Sequence, residues 1–284
     1  MQTHVSPDEI INYYDKCQVD YKLLWHLNSR MSMHYGYWDD STPNLRSALT
    51  NLNVKVAEMA GIKNGAHVLD AGCGVGGSSI FLAKNFGCKT MGITLSEKQV
   101  ATCNANATAQ NVNDFCKFDR QTYLNTSFPD GTFDVVWAIE SVCHANEKAD
   151  FLREAFRVLK KGGTLILADF FRQTDDIQAD KNKLMEKWSA TWAVPDFEYY
   201  KSFEQKAADN GFTGIEMKNI TGNIYPSARR LYYCFIPGII CDSALRIIGK
   251  RSKAQNANVW STYYQSKSLK KNLWNYYIFK AIKS

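Results

Sequence analysis

Three glycines near the start of the chain's central region, Gly72, Gly74 and Gly77, follow a short apolar run that contains Asp70. Glycine lets the backbone turn sharply and approach a ligand closely, so this spacing indicates a binding turn between a strand and a helix. Dinucleotide-binding turns share the spacing, but Asp70 would repel a pyrophosphate at the helix N-terminus. The residues favour a ligand that presents an ammonium group and hydroxyl groups. The alternative is a structural turn without a ligand.

The next predicted strand also argues against a nicotinamide dinucleotide. Such cofactors are usually held by an acidic residue at the end of that strand, about 20 residues after the glycines. Here the strand covers residues 88–94 and is followed by Leu95 and Ser96, neither of which is acidic. S-Adenosylmethionine fits better, because it carries an ammonium group and a ribose but no phosphate.

The glycine-rich turn and four further segments resemble the motifs of class I S-adenosylmethionine-dependent methyltransferases. Residues 92–99 resemble the second-strand motif of the subgroup that contains sterol and tocopherol-type methyltransferases and cyclopropane synthases. Asp119 lies where this family contacts adenine with an acid. Residues 128–145 resemble the fourth-strand motif of sterol C-methyltransferases, and residues 157–165 resemble the segment that leads into the fifth strand. The match is close over residues 60–172 and is more specific for the cofactor than for the substrate.

The resemblance implies an α/β fold with a Rossmann-like, seven-stranded sheet in the order 3-2-1-4-5-7-6 and helices on both faces. The alternation of strand and helix signals agrees with a sheet covered on both faces. We expect an N-terminal helical cap over residues 1–60, a cofactor-binding core over 61–220 and 273–284, and a helical insertion over 221–272. This insertion is expected to form a lid, to which residues 171–199 also contribute.

The hydrophobic pattern predicts individual elements within these boundaries. Helices are expected over 6–28, 45–60, 77–85, 96–110, 146–158 and 200–210, and strands over 66–71, 88–94, 114–118, 132–139, 163–170, 212–220 and 273–282. The apolar run Leu231–Cys241 is too short, and too interrupted by Pro237, to span a membrane. It is expected to form a lid helix over an apolar pocket or an interfacial segment beside basic residues.

Open α/β sheets bind ligands at the carboxyl ends of their strands, and the resemblance implies roles for residues there. The expected cofactor-binding residues are Asp70, Gly72, Cys73, Gly74, Thr94, Leu95, Gln99, Asp119, Arg120 and Ala138. His144 is the expected base, and Glu140 is a second base or stabilises positive charge on an alkene. Tyr14 and His34 lie in segments that close over cofactor and substrate in similar proteins. The structural alternatives are a turn cap for Asp119, a helix cap for His144 and core packing for the two aromatic segments.

The charge distribution bears on the partners of this protein. Residues 218–284 carry twelve Lys or Arg and one acid, a net charge of +11, so the remainder carries −5 of the total of +6. This basic region is either a solvated face or a surface for an anionic partner, such as a membrane, a diphosphate or a carboxylate lipid. No nucleic-acid-binding motif accompanies it, so we expect no nucleic acid as a partner.

The cysteines indicate the redox environment. The eight cysteines form no C-x-x-C pair and no cluster with zinc-ligand spacing, and no signal peptide is recognised. We therefore expect no bound metal and a cytoplasmic protein, with membrane association through the basic region as an option.

These observations predict a methyltransferase that converts S-adenosylmethionine to S-adenosylhomocysteine. The expected acceptor is a lipophilic small molecule, with an anionic group as an option. C-methylation of an isoprenoid, sterol-like or quinone-like compound is favoured by the sterol-type fourth-strand motif and by the apolar, aromatic and basic insertion. The alternatives are O- or N-methylation of a natural product, because residues 34–38 also resemble small-molecule O-methyltransferases, then fatty-acid cyclopropanation, then a non-catalytic cofactor-binding module. Cyclopropanation is disfavoured because Cys143 replaces the glutamate that precedes the histidine in such synthases.

Overall fold

The computed structural model describes residues 4–24, 27 and 31–284. Its central element is a seven-stranded sheet of β1 (His67–Ala71), β2 (Lys89–Thr94), β3 (Cys116–Arg120), β4 (Phe133–Ile139), β5 (Leu159–Arg172), β6 (Phe212–Asn219) and β7 (Trp274–Lys283). The strand order is β3-β2-β1-β4-β5-β7-β6. Strand β7 runs antiparallel to β5 and β6, and the other neighbouring pairs are parallel. The predicted α/β fold and strand order are confirmed.

Helices cover both faces of this sheet. They are α1 (Pro7–Leu24), α2 (Leu45–Ala60), α3 (Gly77–Phe86), α4 (Glu97–Ala109), α5 (Lys148–Val158), α6 (Leu184–Thr191), α7 (Tyr200–Asp209), α8 (Thr221–Ile247) and α9 (Lys253–Lys270). One core cluster joins the sheet to buried residues of α2 and α6, and a second joins it to buried residues of α5 and α7. The helix predicted over residues 6–28 agrees with α1, and its last residues lie partly outside the described part of the chain.

Strand β4 shows why the sheet needs cover on both sides. Trp137 belongs to the core on one face, whereas Val136 and Ala138 belong to the core on the other. Side chains along a strand alternate between the two faces, so a continuous apolar run such as this one requires packing on both. Polar side chains can therefore come only after this apolar run, at the carboxyl end of β4.

Two strands have boundaries that differ from the predictions by two residues or more. Strand β3 begins at Cys116, two residues later than predicted, because the amides of Phe115 and Cys116 are bonded to the carbonyl of Val112 in a turn. The strand also ends two residues later than predicted, so Asp119 and Arg120 lie inside it and pair with β2. Strand β5 extends over fourteen residues because its first residue pairs with Phe133 and its far end pairs with β7.

The insertion forms the helical pair α8 and α9, which pack on each other. Helix α8 continues through Pro226 and Pro237, so the run Leu231–Cys241 is helical. Helix α9 begins with a capping box, in which the Ser252 side chain and Gln255 satisfy each other's backbone amides. Helix α9 also contacts α1 and α6. Among the described helices, none combines enough length with enough apolar character to cross a bilayer.

Candidate active site

A cleft of about 930 Å³ opens at the carboxyl ends of β1, β2 and β4. Most residues that the sequence analysis named as site residues line it: Tyr14, His34, Asp70, Gly72, Cys73, Gly74, Thr94, Leu95, Gln99, Glu140 and His144. The structure therefore brings together side chains from α1, from the segment before α2 and from the ends of three strands. Their individual roles remain predictions.

Three named residues, Asp119, Arg120 and Ala138, are not among those that line the cleft. Ala138 is buried inside β4. Asp119 is exposed, and its Oδ2 accepts a hydrogen bond from Nε2 of Gln121 at 2.6 Å. Arg120 donates from Nε to the carbonyl of Leu95 at 3.2 Å. Both Gln121 and Leu95 do line the cleft, so Asp119 and Arg120 contact it through these neighbours.

The glycine-rich turn has no room for side chains at two positions. A Cβ on Gly72, whose φ is +93°, would lie 2.4 Å from Cβ of Ser141. A Cβ on Gly74, whose φ is +55°, would lie 2.6 Å from Cε of Met33. The positive φ favours glycine at both positions, and at Gly72 the Cβ of Ser141 also excludes a side chain. Both glycines line the cleft, so a ligand can approach their backbone, which fits the methionine part of S-adenosylmethionine.

Asp70 is a buried acid beside this turn. It is 2% exposed, and its Oδ2 accepts a hydrogen bond from Oγ of Ser79 at 2.6 Å. Burial raises the pKa of Asp70 to about 6. A ligand ammonium group at this carboxyl would lower the pKa again, because an opposite charge favours the carboxylate. The predicted contact with the amino group of the cofactor therefore fits the site.

Gln99 and Thr94 are hydrogen bonded to each other at the end of β2. Oγ1 of Thr94 donates to Oε1 of Gln99, and the amide of Ser96 bonds to the same Thr94 hydroxyl at 3.3 Å. Because its carbonyl oxygen contacts Thr94, Gln99 can offer its amide nitrogen as a donor to a ligand. A ribose hydroxyl suits such a donor.

Tyr14 and His144 form a hydrogen-bonded pair in the wall of the cleft. Nδ1 of His144 lies 2.9 Å from the carbonyl of Ala193, and Nε2 lies 2.8 Å from the hydroxyl of Tyr14. A carbonyl only accepts, so Nδ1 carries the proton and Nε2 accepts from Tyr14. Burial lowers the pKa of His144 to about 4, which keeps the imidazole neutral. The pair can accept a proton through the oxygen of Tyr14.

His34 has both ring nitrogens engaged by protein atoms. Nδ1 lies 2.7 Å from the carbonyl of Tyr35, and Nε2 lies 3.3 Å from Nδ2 of Asn53. Oδ1 of Asn53 in turn accepts from Oγ of Ser78, which lines the cleft. This arrangement suits a residue that positions its neighbours, whereas Tyr14 and His144 are better placed to exchange a proton.

Glu140 follows β4 in a left-handed conformation with φ of +49°, which is uncommon for a residue other than glycine. Its Oε1 accepts from the amide of Tyr35 at 2.7 Å and from the hydroxyl of Tyr276 at 2.8 Å. Burial raises the pKa of Glu140 to about 8. The unusual backbone turns this carboxyl group toward the boundary between the cleft and a second chamber.

The second chamber shares Glu140 and Met33 with the cleft. Its other described lining residues come mainly from α1, α8 and α9, with Tyr35 and Trp192 from the segments outside these helices: Asp20, Tyr21, Leu24, Tyr35, Trp192, Leu231, Asn258, Ser261, Thr262 and Gln265. The chamber combines aromatic and aliphatic surface with amide and hydroxyl groups. Such a mixture of surfaces suits a lipophilic acceptor that carries hydroxyl or carbonyl groups.

The sequence analysis missed two residues that hold the loop after β4. Oδ2 of Asp169 accepts from the amide of Cys143 at 2.9 Å. Nζ of the buried Lys148 donates to the carbonyls of Cys143, Ala145 and Asp196 at 3.1, 2.7 and 2.8 Å. Asp169 could have been found, because it lies near the carboxyl end of a predicted strand. Among the described residues, no group of three or more His, Cys, Asp or Glu is arranged to hold a metal ion.

Comparisons with known proteins bear on the family of this chain. A family model described as a methyltransferase domain matches residues 69–167. The chain is 34% identical over 207 residues to 27-O-demethylrifamycin SV methyltransferase of Amycolatopsis mediterranei, covering 72% of this chain and 75% of that protein. It is 34% identical over 214 residues to 2-methyl-6-phytyl-1,4-hydroquinone methyltransferase of Synechocystis, covering 72% of this chain and 66% of that protein.

A solved structure is similar over nearly the whole chain. The cyclopropane synthase of Mycobacterium tuberculosis superposes with a TM-score of 0.80 at 18% identity, covering 98% of this chain and 99% of that one. This likeness shows the fold alone. The shared fold, the glycine-rich turn and the two relatives together identify the family. The chain belongs to the class I S-adenosylmethionine-dependent methyltransferases.

Proposed function

We propose that this enzyme methylates a carbon atom of an uncharged, lipophilic acceptor of the isoprenoid, sterol-like or quinone-like class. The observation that carries the proposal is the combination of one buried carboxyl group, Glu140, with aromatic rings and a weak base in the same wall. The backbone amide of Tyr35 and the hydroxyl of Tyr276 donate to Glu140, and the hydroxyl of Tyr14 bonds to His144. Such a wall suits a reaction in which positive charge develops on the acceptor.

The cofactor supplies a methyl group on a sulfonium ion. Methyl transfer to a carbon–carbon double bond would break the sulfur–methyl bond, with S-adenosylhomocysteine as the leaving group, and would form a new carbon–carbon bond. The positive charge then lies on the neighbouring carbon of the acceptor. A cation beside Glu140 favours the carboxylate form of this buried acid, so Glu140 and the rings of the second chamber stabilise the charge. The cation then loses a proton to the oxygen of Tyr14, whose own proton moves to Nε2 of His144.

The low basicity of His144 favours carbon over oxygen as the methylated atom. Its pKa of about 4 makes it a poor acceptor for the proton of an alcohol. A carbocation releases its proton much more readily, so a weak base is sufficient. O-Methylation of a natural product is the second candidate, because one relative is named for a 27-O-demethylated substrate.

The charges around the second chamber favour an uncharged acceptor. Its described lining residues include Asp20 and Glu140 but no Lys or Arg, and the same absence of basic residues holds for the described lining of the cleft. A diphosphate there would lack a compensating cation, whereas the polar groups of Asn258, Ser261 and Gln265 can bond to hydroxyl or carbonyl groups. A relative named for a phytyl hydroquinone substrate supports this preference.

The test is a product analysis with S-adenosylmethionine labelled with ¹³C in the methyl group. Purified protein is incubated with a prenylated hydroquinone, a sterol, a prenyl diphosphate and a phenol, and NMR identifies the atom that carries the label. We expect a carbon-bound methyl group on an uncharged lipophile. Label bound only to oxygen or nitrogen, or transferred only to the diphosphate, would show that the proposal is wrong.

Glu140→Gln provides a matched variant for this test. The glutamine keeps an oxygen for Tyr35 and Tyr276 but cannot carry the negative charge. We expect C-methylation to fall by about 10²-fold or more while cofactor affinity stays within a few fold. An enzyme that methylates oxygen would be much less affected, because no cation forms beside Glu140.

A further inference from the structure

Helix α8 presents apolar side chains on two different sides. Its inner side buries Ile224, Leu231 and Phe235. Its outer side exposes large apolar side chains at Tyr225, Tyr233, Ile236, Ile240 and Ile247, which are 43%, 68%, 61%, 64% and 86% exposed. Their separations of eight, three, four and seven residues place them along one side of the helix.

This outer face is a concentrated apolar surface. Seven of the ten large apolar residues that are exposed in the described part of the chain lie between Tyr225 and Ile248. Single exposed apolar residues are ordinary, but a contiguous apolar patch marks a binding surface. The remaining three, Val19, Leu23 and Phe115, lie on α1 and in the turn before β3.

The charges beside the outer face have one sign. Arg229, Arg246, Lys250 and Lys253 are exposed. Residues 221–272 contain one acid, Asp242, which is buried and bonded to Arg251 at 2.9 Å. A second copy docked face to face would bring like charges together. An anionic lipid surface satisfies both the apolar residues and the basic residues.

We propose that the outer face of α8 docks on an anionic membrane surface, with the helix lying in the plane of the lipid headgroups. Tyr225 and Tyr233 suit this position, because tyrosine has an apolar ring and a polar hydroxyl group. The inner face of the same helix covers the second chamber through Leu231. Docking therefore places the chamber next to the membrane from which a lipophilic acceptor would come. The docking itself does not depend on which atom is methylated.

The test is co-sedimentation of the full chain with vesicles of phosphatidylcholine alone and of phosphatidylcholine mixed with phosphatidylserine. We expect binding to the mixed vesicles that weakens as salt is added. The triple variant Ile236→Ser/Ile240→Ser/Ile247→Ser should bind at least about tenfold more weakly. The charge-reversed variant Arg246→Glu/Lys250→Glu should lose binding by a similar factor, because each basic residue contributes about 1 kcal/mol.

Phe115→Ser is the matched control, because Phe115 is 45% exposed and lies in the turn before β3, on a different part of the sequence. It should bind vesicles as the wild type does, and all variants should keep their affinity for S-adenosylmethionine. The proposal is wrong if the wild type does not bind the mixed vesicles, or if the triple variant binds them as tightly as Phe115→Ser does. It is also wrong if ultracentrifugation shows that the face instead forms a dimer that the triple variant disrupts.

Discussion

Hydrogen-bond partners distinguish the residues of the site that can accept a proton from those that hold neighbouring residues in place. Both His34 and His144 are buried, and burial lowers the pKa of each to about 4. Their partners differ, since His34 bonds to Asn53 whereas His144 bonds to the hydroxyl of Tyr14. A hydroxyl group can accept a proton from a substrate while it passes its own to the imidazole. His144 therefore has a route to the acceptor through Tyr14.

This route predicts that Tyr14 and His144 act as one unit. Tyr14→Phe and His144→Ala should each lower kcat by about 10²–10⁴-fold, and the double variant should be little worse than either single variant. Cofactor affinity, measured by calorimetry, should stay nearly unchanged. His67→Gln serves as the control, because His67 begins β1 at the far end of the strand from the cleft. Full turnover in His144→Ala would rule out the proposed base.

At the scale of elements, the sequence predicts the structure correctly where local chemistry determines it. The glycine-rich turn after β1 and the apolar run of β4 were located because glycine spacing and continuous hydrophobicity are local signals. The start of β3 was misplaced because a turn around Val112 and the pairing of Cys116 with β2 determine it. Contacts between distant segments determine the rest of the site. Tyr276 meets Glu140 across 136 positions of the chain, and no spacing rule indicates that contact.

Helices α1 and α8 and the segment between α8 and α9 are joined by a buried charge cluster, the Asp20–Arg251–Asp242 cluster. Arg251 donates to both carboxyl oxygens of Asp20 on α1 at 2.6 and 3.2 Å, and to Asp242 on α8 at 2.9 Å. The Arg251 and Asp20 side chains are each 11% exposed, and the Asp242 side chain is 0% exposed. Asp20 also lines the second chamber. The cluster thus ties α1, which carries Tyr14, to a helix that lines the second chamber.

We expect Arg251→Met to lower the free energy of unfolding by about 3–5 kcal/mol, because two buried carboxylates lose their cation. In urea titrations, Arg153→Met should lower it by less than about 1 kcal/mol, since the Arg153–Asp150 pair is exposed. When Asp20→Asn and Asp242→Asn are added to Arg251→Met, the triple variant should recover part of the stability that Arg251→Met loses. If Arg251→Met is as stable as Arg153→Met, the cluster does not hold these helices together.

For the whole molecule, the buried site makes the stability of the ligand-free protein depend on pH. Burial raises the pKa of Glu140 to about 8 and those of Asp70 and Asp169 to about 6. Between pH 7 and 8, the folded state therefore holds a proton on Glu140 that the unfolded state has released. A folded state that binds more protons loses stability as pH rises. The two acids with pKa values near 6 and the buried histidines change little in this interval.

We accordingly expect the free energy of unfolding to fall by roughly 1 kcal/mol between pH 7 and pH 8, which urea titrations at closely spaced pH values can resolve. Glu140→Gln should abolish most of this decrease, because the amide does not titrate while it keeps the contacts with Tyr35 and Tyr276. Adding S-adenosylmethionine should reduce the decrease in the wild type, since a cation beside Glu140 lowers the pKa of its carboxyl group. Equal slopes for the wild type and the variant would show that Glu140 is already ionised at pH 7 in the folded protein.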